Sequence, residues 1–98
     1  MTLPTNATRS LRSVNFTDRY LLTHSDSLGH LDQVTSTFAK DATFRARPGT
    51  TAGSVGLESY NFPGRYIRHR DYQLWVDPYE DSDLFRSDRS FTAVSAWV

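Results

Sequence analysis

An internal repeat constrains the fold of this chain more than any other feature. The segment "NFTDRYLLTH", Asn15–His24, returns as "NFPGRYIRH", Asn61–His69, and both copies end on a histidine. A second block, "KDATFRA" at Lys40–Ala46, aligns with "SDRSFTA" at Ser87–Ala93. Such a duplication predicts two similar structural units, here called the first and second repeat. The alignment pairs Leu11 with Leu57, Ser13 with Ser59, Asn15 with Asn61, Phe16 with Phe62, Tyr20 with Tyr66, Asp41 with Asp88 and Phe44 with Phe91.

Each repeat consists of short segments rich in aromatic and branched residues, with partial two-residue alternation. Turn residues such as Pro48-Gly49, Pro63-Gly64 and the acidic run from Asp77 to Asp83 separate them. No stretch keeps a helical apolar period for ten residues, so the chain is predicted to be all-β with four strands per repeat. The predicted strands are residues 9–14, 19–24, 28–34 and 42–47, then 54–59, 65–69, 72–76 and 90–98.

The repeats also suggest how the chain is organised. Residues 1–9 are expected to form a loose arm, residues 10–51 a first lobe and residues 52–98 a second lobe, and both lobes belong to one domain. The segment "RPGTTAGS", residues 47–54, is the predicted link. Aromatic residues at equivalent positions of the two repeats, Tyr20, Tyr66, Phe44 and Phe91, are predicted to form the core.

Composition excludes several classes of partner. Eleven basic and eleven acidic residues give a formal net charge of zero, which does not favour nucleic acid or an anionic membrane. Cysteine is absent, and the acidic run lacks the spacing of a calcium-binding loop, so we expect no metal and no cofactor. No apolar stretch is long enough to span a bilayer, and the opening residues lack the apolar core of a signal peptide.

Each repeat pairs a histidine with an aspartate: His69 with Asp88, and His24 with Asp41. An ionised carboxylate accepts hydrogen bonds from adjacent hydroxyls and an imidazole adds a further donor or acceptor, so this set suits the vicinal diol of a sugar. Nearby tyrosines would wall the sugar ring, and binding would be weak, near millimolar, or about 4 kcal/mol. The predicted sugar-binding residues are His69, Asp88, Tyr66, Tyr72, His24, Asp41 and Tyr20; none is predicted to be catalytic.

The segments "LESYNFPGRYIRHRDYQLWVDP" and "LFRSDRSF", with "DATF" at Asp41–Phe44, resemble the repeat of the arabinofuranosidase B-type domain, carbohydrate-binding module family 42. The resemblance extends from Ser10 to Phe91. It implies a β-trefoil fold and non-catalytic binding of arabinofuranose side chains of arabinoxylan and arabinan, plant cell-wall polysaccharides. It also implies an extracellular location in the company of an α-L-arabinofuranosidase, with His69–Asp88 and His24–Asp41 as the pocket residues.

The chain departs from that family in two ways. A trefoil has three lobes, and two lobes supply only four of six barrel strands, which leaves open edges. Either a third lobe is missing or chains associate, so a homo-oligomer is expected, with the apolar tail around Trp97 packed against another chain. His24 also follows "LLT" instead of an arginine, and a shift of one residue along a strand turns a side chain to the opposite face.

Other interpretations stay open. Asp41 and Asp88 could cap turns through their carboxylate oxygens. The chain could also be a structural or protein-interaction trefoil without a working sugar site. An arabinofuranosidase is disfavoured, because a glycosidase needs two carboxylates within about 5 to 10 Å and the candidates here fall one per repeat.

Overall fold

The computed structural model describes residues 6–23 and 27–94, and this part of the chain is all-β with short helical turns. Its strands form two antiparallel sheets, neither of which closes into a barrel within those residues. None of its helices is long and apolar enough to cross a membrane. The strands are β1 (Thr8–Arg9), β2 (Arg19–Thr23), β3 (Gly29–Gln33), β4 (Phe44–Pro48), β5 (Val55–Ser59), β6 (Arg65–Arg70) and β7 (Gln73–Pro78); Ser36–Phe38 is a 3₁₀ helix and Asp83–Asp88 is helix α1.

The larger sheet has the strand order β1-β4-β5-β6-β7, and β2 and β3 form the smaller one. The small sheet lies against the edge of the large one: Leu28 bridges to Trp75, and the Val76 N–H donates to the carbonyl of Ser27 at 2.8 Å. The all-β prediction is therefore confirmed.

The repeat seen in the sequence recurs in the backbone geometry. The Phe16 N–H donates to the Ser13 hydroxyl at 3.0 Å, and the Phe62 N–H donates to the Ser59 hydroxyl at the same distance. Each bond closes a tight turn between two strands of its repeat. The two equivalent segments therefore fold in the same way, although Pro63-Gly64 occurs in only one of them.

Strand pairing repeats as well. Arg9 is the cross-strand partner of Phe44 in the first repeat, and Val55 is the partner of Phe91 in the second. Residues 6–9, inside the predicted arm, are thus bonded to the sheet. Of the predicted last strand, only Phe91 pairs among the described residues, and Trp97 lies outside them.

The sequence analysis missed helix α1, where it predicts a turn followed by a strand. Ser82 caps the helix by accepting a hydrogen bond from the Phe85 N–H at 3.1 Å, and Asp83 and Arg86 lie in its first and last turns. These are the charges that helix termini favour. A helix of six residues is too short to produce an apolar period, which explains why the pattern did not reveal it.

The core is formed by side chains from four neighbouring strands of the large sheet, β4 to β7. Phe44, Leu57, Ile67 and Val76 form its buried cluster, and Phe91 packs against this cluster while partly buried. Of the four aromatic residues predicted in the core, Phe44 is fully buried, whereas Tyr20 and Tyr66 are only half-buried.

The predicted link between the repeats is the loop of a hairpin. β4 and β5 pair along their whole length, and the Gly49 N–H donates to the carbonyl of Ser54 at 2.9 Å across the loop. A Cβ at position 49 would lie 2.8 Å from the backbone carbon of Ser54, so glycine is needed for this close approach. β4 of the first repeat and β5 of the second are consequently neighbouring strands of the large sheet.

The buried carboxylate of Glu58 on β5 stabilises the pairing of β4 with β5. Its Oε1 accepts from Arg47 Nε at 2.9 Å, and its Oε2 accepts from the Gly64 N–H at 2.8 Å. Burial is the largest single influence and raises the pKa of Glu58, but the Gly64 bond and the bond and charge of Arg47 together outweigh it and lower the pKa.

We expect the stability of the fold to fall on acidification because of Glu58. Because folding lowers the pKa of Glu58, its ionised carboxylate stabilises the fold at pH values above the ordinary pKa of 4.5. This stabilisation is lost as the pH falls through the folded-state pKa. Urea unfolding at neutral pH and at about pH 3 should therefore show a smaller acid-induced loss for Glu58→Gln than for wild type. Exposed Glu80→Gln is the control, and an unchanged loss in Glu58→Gln would contradict this role.

Candidate functional site

His69 and Asp88 converge, although they come from different elements. His69 is near the end of β6 and Asp88 is the last residue of α1, and His69 Nε2 lies 3.4 Å from Asp88 Oδ1. The two side chains differ in exposure: 61% of the histidine is accessible, but only 11% of the aspartate. An exposed imidazole therefore stands beside a nearly buried carboxylate.

Arg68 fixes the orientation of this carboxylate. Its Nη2 lies 2.5 Å from Asp88 Oδ2, and both side chains are almost completely buried. The guanidinium also packs over the ring of Phe85, 4.9 Å from its centroid. Because Arg68 holds one oxygen of Asp88, the other oxygen is directed at His69.

Positive and negative groups balance around the site. Asp77 Oδ2 lies 3.9 Å from Arg68 Nη1 and 3.8 Å from Arg70 Nη1, so two arginines oppose two aspartates, Asp77 and Asp88. These four side chains together carry no net charge, which suits a neutral ligand that offers hydroxyl groups. Among the described residues, no group of three or more histidines and acidic residues could hold a metal ion.

A shallow depression of about 510 Å³ adjoins His69 at the tip of the β6–β7 hairpin. The two tip residues, Asp71 and Tyr72, have φ angles of 53° and 62°, as a type I′ turn requires. This left-handed conformation costs roughly 1–2 kcal/mol for a residue with a side chain. It leaves the Tyr72 ring fully exposed at the rim. The depression is lined by His69, Asp71, Tyr72, Gln73 and Leu74.

Neither Asp88 nor Tyr66 is among the residues that line this depression, and Tyr66 lies in a packing cluster. The Arg89 guanidinium is 5.1 Å from the Tyr66 ring centroid, and the ring of Tyr79 meets it edge-on at 5.9 Å. Burial raises the pKa of the Tyr66 phenol.

The first repeat is arranged differently. Asp41 Oδ1 accepts a hydrogen bond of 2.7 Å from Asn61 Nδ2, which belongs to the second repeat. Tyr20 lines a separate depression of about 490 Å³ together with Ala42 and Thr43. His24 lies outside the described residues. The structure thus gives Asp41 an amide partner that the sequence analysis did not identify.

One substitution between the repeats accounts for part of this difference. Ala42 occupies the position of Arg89, whose side chain in the second repeat packs over Tyr66 and donates to the Pro48 carbonyl at 2.9 Å. With alanine there, a depression remains beside Tyr20. The two repeats therefore share a backbone but differ in the surface they present.

Sequence reasoning also assigned no role in the site to Arg68. The signal was available, since Arg68 precedes His69 within a strand whose alternation places it on the same side as Tyr66, and a buried arginine must be paired. What the sequence could not provide was its partner, because Asp88 lies 20 residues away on an unpredicted helix.

The two linked sheets and the pair formed by His69 and Asp88 define a small all-β domain. The chain belongs to the Alpha-L-arabinofuranosidase B (ABFB) domain family, which matches residues 2–93 and corresponds to carbohydrate-binding module family 42. The resemblance stated from the sequence is confirmed.

Solved structures support the fold. A GH54 α-L-arabinofuranosidase soaked with a cyclic sulfate inhibitor aligns with a TM-score of 0.84 over 93% of this chain, at 24% identity. An arabinofuranosidase complexed with arabinofuranosyl-α-1,2-xylobiose aligns with a TM-score of 0.85 over 94% of this chain, also at 24% identity. This chain covers 20% of each of those chains. A comparison with curated protein sequences finds no match.

Proposed function

We propose that the chain is a non-catalytic carbohydrate-binding module that holds arabinofuranosyl branches of arabinoxylan or arabinan. The observation that carries this proposal is the approach of His69 Nε2 to within 3.4 Å of Asp88 Oδ1. A buried acceptor beside an exposed imidazole can engage two neighbouring hydroxyls of one sugar ring.

In this proposal Asp88 Oδ1 accepts a hydrogen bond from one hydroxyl while His69 binds the next. Arg68 keeps the carboxylate in place, because its bond to Oδ2 prevents rotation of the group. The exposed ring of Tyr72 and the side chain of Leu74 supply apolar surface for the C–H groups of the sugar. Hydrogen bonds to a charged group are worth about 1.5–3 kcal/mol each, so a single site binds weakly.

A polymer with many branches would compensate for weak sites through avidity. One solved relative is a complex with arabinofuranosyl-α-1,2-xylobiose, a fragment with the same kind of branch. We also propose a second pocket formed by Asp41, Tyr20 and His24. We further propose that the fold is a β-trefoil and that the module is extracellular and accompanies an arabinofuranosidase. The chain spans about a fifth of the length of the solved relatives, which fits such a module.

Replacing His69 tests the site with little risk to the fold. Because this side chain is largely exposed, His69→Ala should change stability by no more than about 0.5 kcal/mol. In an affinity gel containing arabinoxylan, wild type should be retarded and His69→Ala should migrate as it does in a gel without polysaccharide. His30→Ala on β3, at a histidine that does not line the depression, is the control, and unbranched xylan controls for the branch. Equal retardation of His69→Ala and wild type would refute the proposed pocket.

A structural or protein-interaction role is the second candidate. It is favoured by the engagement of Asp88 Oδ2 with Arg68 and of Asp41 Oδ1 with Asn61, since both aspartates already serve the fold. Wild type that is not retarded by any arabinose-containing polymer would support this role. Hydrolysis is disfavoured because the guanidinium of Arg68 contacts both Asp77 and Asp88, so neither carboxylate is available as a catalytic acid or nucleophile. Release of free arabinose from the polysaccharide would instead support a hydrolytic activity.

A further inference from the structure

One buried position distinguishes the β2–β3 hairpin of the first repeat from the β6–β7 hairpin of the second. The alignment of "RYLL" with "RYIR" matches Leu22 on β2 with Arg68 on β6. Leu22 is fully buried, and Arg68 is 7% exposed. The first repeat therefore has an aliphatic side chain at the place where the second repeat holds a guanidinium group.

The carboxylate beside Arg68 has a counterpart in the first repeat. Arg68 Nη1 lies 3.9 Å from Asp77 Oδ2. Asp77 is the cross-strand partner of Tyr66, and Asp32 is the cross-strand partner of the equivalent Tyr20. The first repeat consequently keeps the acidic group, although the arginine that it accompanies in the second repeat is replaced.

The aromatic ring beneath Arg68 has a counterpart as well. The guanidinium packs over Phe85, 4.9 Å from the centroid of the ring. Phe85 comes three residues before Asp88, and Phe38 comes three residues before the equivalent Asp41. Phe38 ends the 3₁₀ helix and is 39% exposed. The first repeat thus keeps both an acidic and an aromatic neighbour of the missing cation.

A depression of about 340 Å³ lies at this place in the first repeat. It is lined by Leu22, Asp32, Phe38, Arg19, Gln33 and Thr35. Because a leucine side chain is shorter than an arginine side chain, it leaves the space of the guanidinium open. Asp41 does not line this depression, which is therefore separate from the proposed second sugar pocket.

The remaining polar groups of the lining are compatible with a cation. Gln33 Nε2 donates to Asp18 Oδ2 at 2.8 Å, so the amide oxygen of Gln33 remains an acceptor. Arg19 is the one basic residue of this lining among the described residues. Its equivalent Arg65 accompanies Arg68 on β6, so an arginine at this position tolerates a guanidinium nearby.

We propose that this depression binds a guanidinium group supplied from outside the chain. Asp32 accepts hydrogen bonds from one edge of the group, and the ring of Phe38 contacts its face. A carboxylate has several lone pairs, so Asp32 can accept from the ligand in addition to a partner that it already has. The group can belong to a free guanidinium compound or to an arginine side chain of another protein. The inference does not depend on the proposed sugar site.

Titration with methylguanidinium tests the site directly. Added at millimolar concentration to the isotope-labelled chain, it should shift the amide NMR signals of β2, β3 and the 3₁₀ helix until they saturate. Methylurea has the same planar shape without the charge and should produce no saturable shift. His69→Ala should bind methylguanidinium as wild type does, because His69 does not line this depression. No saturable shift with methylguanidinium, or an equal response to methylurea, would overturn the inference.

Two substitutions test the residues of the site. Asp32→Asn keeps the shape of the side chain and removes its charge, so it should weaken methylguanidinium binding about tenfold or more. Asp71→Asn removes the same charge from the second repeat and should leave binding unchanged. A folded Leu22→Arg chain carries its own guanidinium at the position equivalent to Arg68 and should no longer respond. If Leu22→Arg does not fold, Asp32→Asn decides alone, and wild-type affinity in Asp32→Asn contradicts the proposed site.

A peptide distinguishes the two sources of the ligand. A capped tripeptide with arginine at its centre should shift the same amide signals as methylguanidinium. Tighter binding of the peptide supports an arginine side chain of a protein partner, since contacts beyond the guanidinium then contribute. Equal or weaker binding of the peptide supports a free guanidinium compound.

Discussion

Replacing Asp88 with alanine is expected to lower the free energy of unfolding by about 3 kcal/mol. The carboxylate is the close partner of Arg68, 2.5 Å away, and both side chains are nearly buried. Without it the guanidinium stays in the interior with Asp77 at 3.9 Å as its remaining acidic contact. Breaking a buried pair from one side typically costs about 3–5 kcal/mol, and the contact with Asp77 places this case at the low end. Urea unfolding followed by tryptophan fluorescence measures the loss.

Two further variants isolate the cause. Asp83→Ala makes the same change at an exposed position of the same helix and should lower the free energy of unfolding far less than Asp88→Ala does. Combining Asp88→Ala with Arg68→Met removes the stranded charge, so the double variant should be more stable than Asp88→Ala alone. A double variant whose losses simply add would show that the pair is not coupled. The same reasoning makes Asp88→Ala a poor probe of sugar binding, for which His69→Ala is the better choice.

Replacing Phe85 with alanine is expected to cost about 3–5 kcal/mol and to abolish retention on arabinoxylan. Phe85 is 1% exposed and attaches the six-residue helix α1 to the sheet. Its ring lies beneath Arg68 and meets Tyr79 edge-on at 5.6 Å. Without this anchor, a helix so short has no independent stability, and Asp88 at its end loses its position.

Phe62→Ala is the matched control for this experiment. Phe62 is more than half exposed, so the same substitution there should cost no more than about 1 kcal/mol. Phe85→Leu should recover much of the stability, because it keeps most of the buried volume. If Phe85→Ala remained folded with full retention on the polysaccharide, α1 would not position the site as described.

Segments rich in aromatic and branched residues predicted much of the fold, and the duplication indicated which of these segments are equivalent. β2 to β7 each overlap a predicted strand, and the shared turns at Ser13 and Ser59 follow from shared residues. The helix escaped notice for a local reason. Its formation depends on a cap at Ser82 and an anchor at Phe85, and neither produces a periodic pattern.

The site was predictable only in part. Repetition identified His69 and Asp88 as a pair, and the structure brings them together. It could not predict that Arg68 holds the carboxylate, or that Asn61 crosses between repeats to reach Asp41. Both contacts depend on tertiary packing and join residues that the comparison of the two repeats did not connect. Tyr66 was predicted to bind sugar but packs against Arg89. The comparison of the repeats did not indicate this contact, because the position of Arg89 is occupied by Ala42 in the first repeat.

The left-handed backbone at Asp71 and Tyr72 bears on the thermodynamics of recognition. Arg70 and Gln73 pair on either side of the turn, and this pairing restricts the backbone beneath the tyrosine, so little backbone freedom would be lost on contact. Flexible loops must surrender that freedom each time they bind. For a weakly bound pentose, a preorganised aromatic surface would therefore leave more of the interaction energy as free energy of binding, because less of it is offset by ordering the protein.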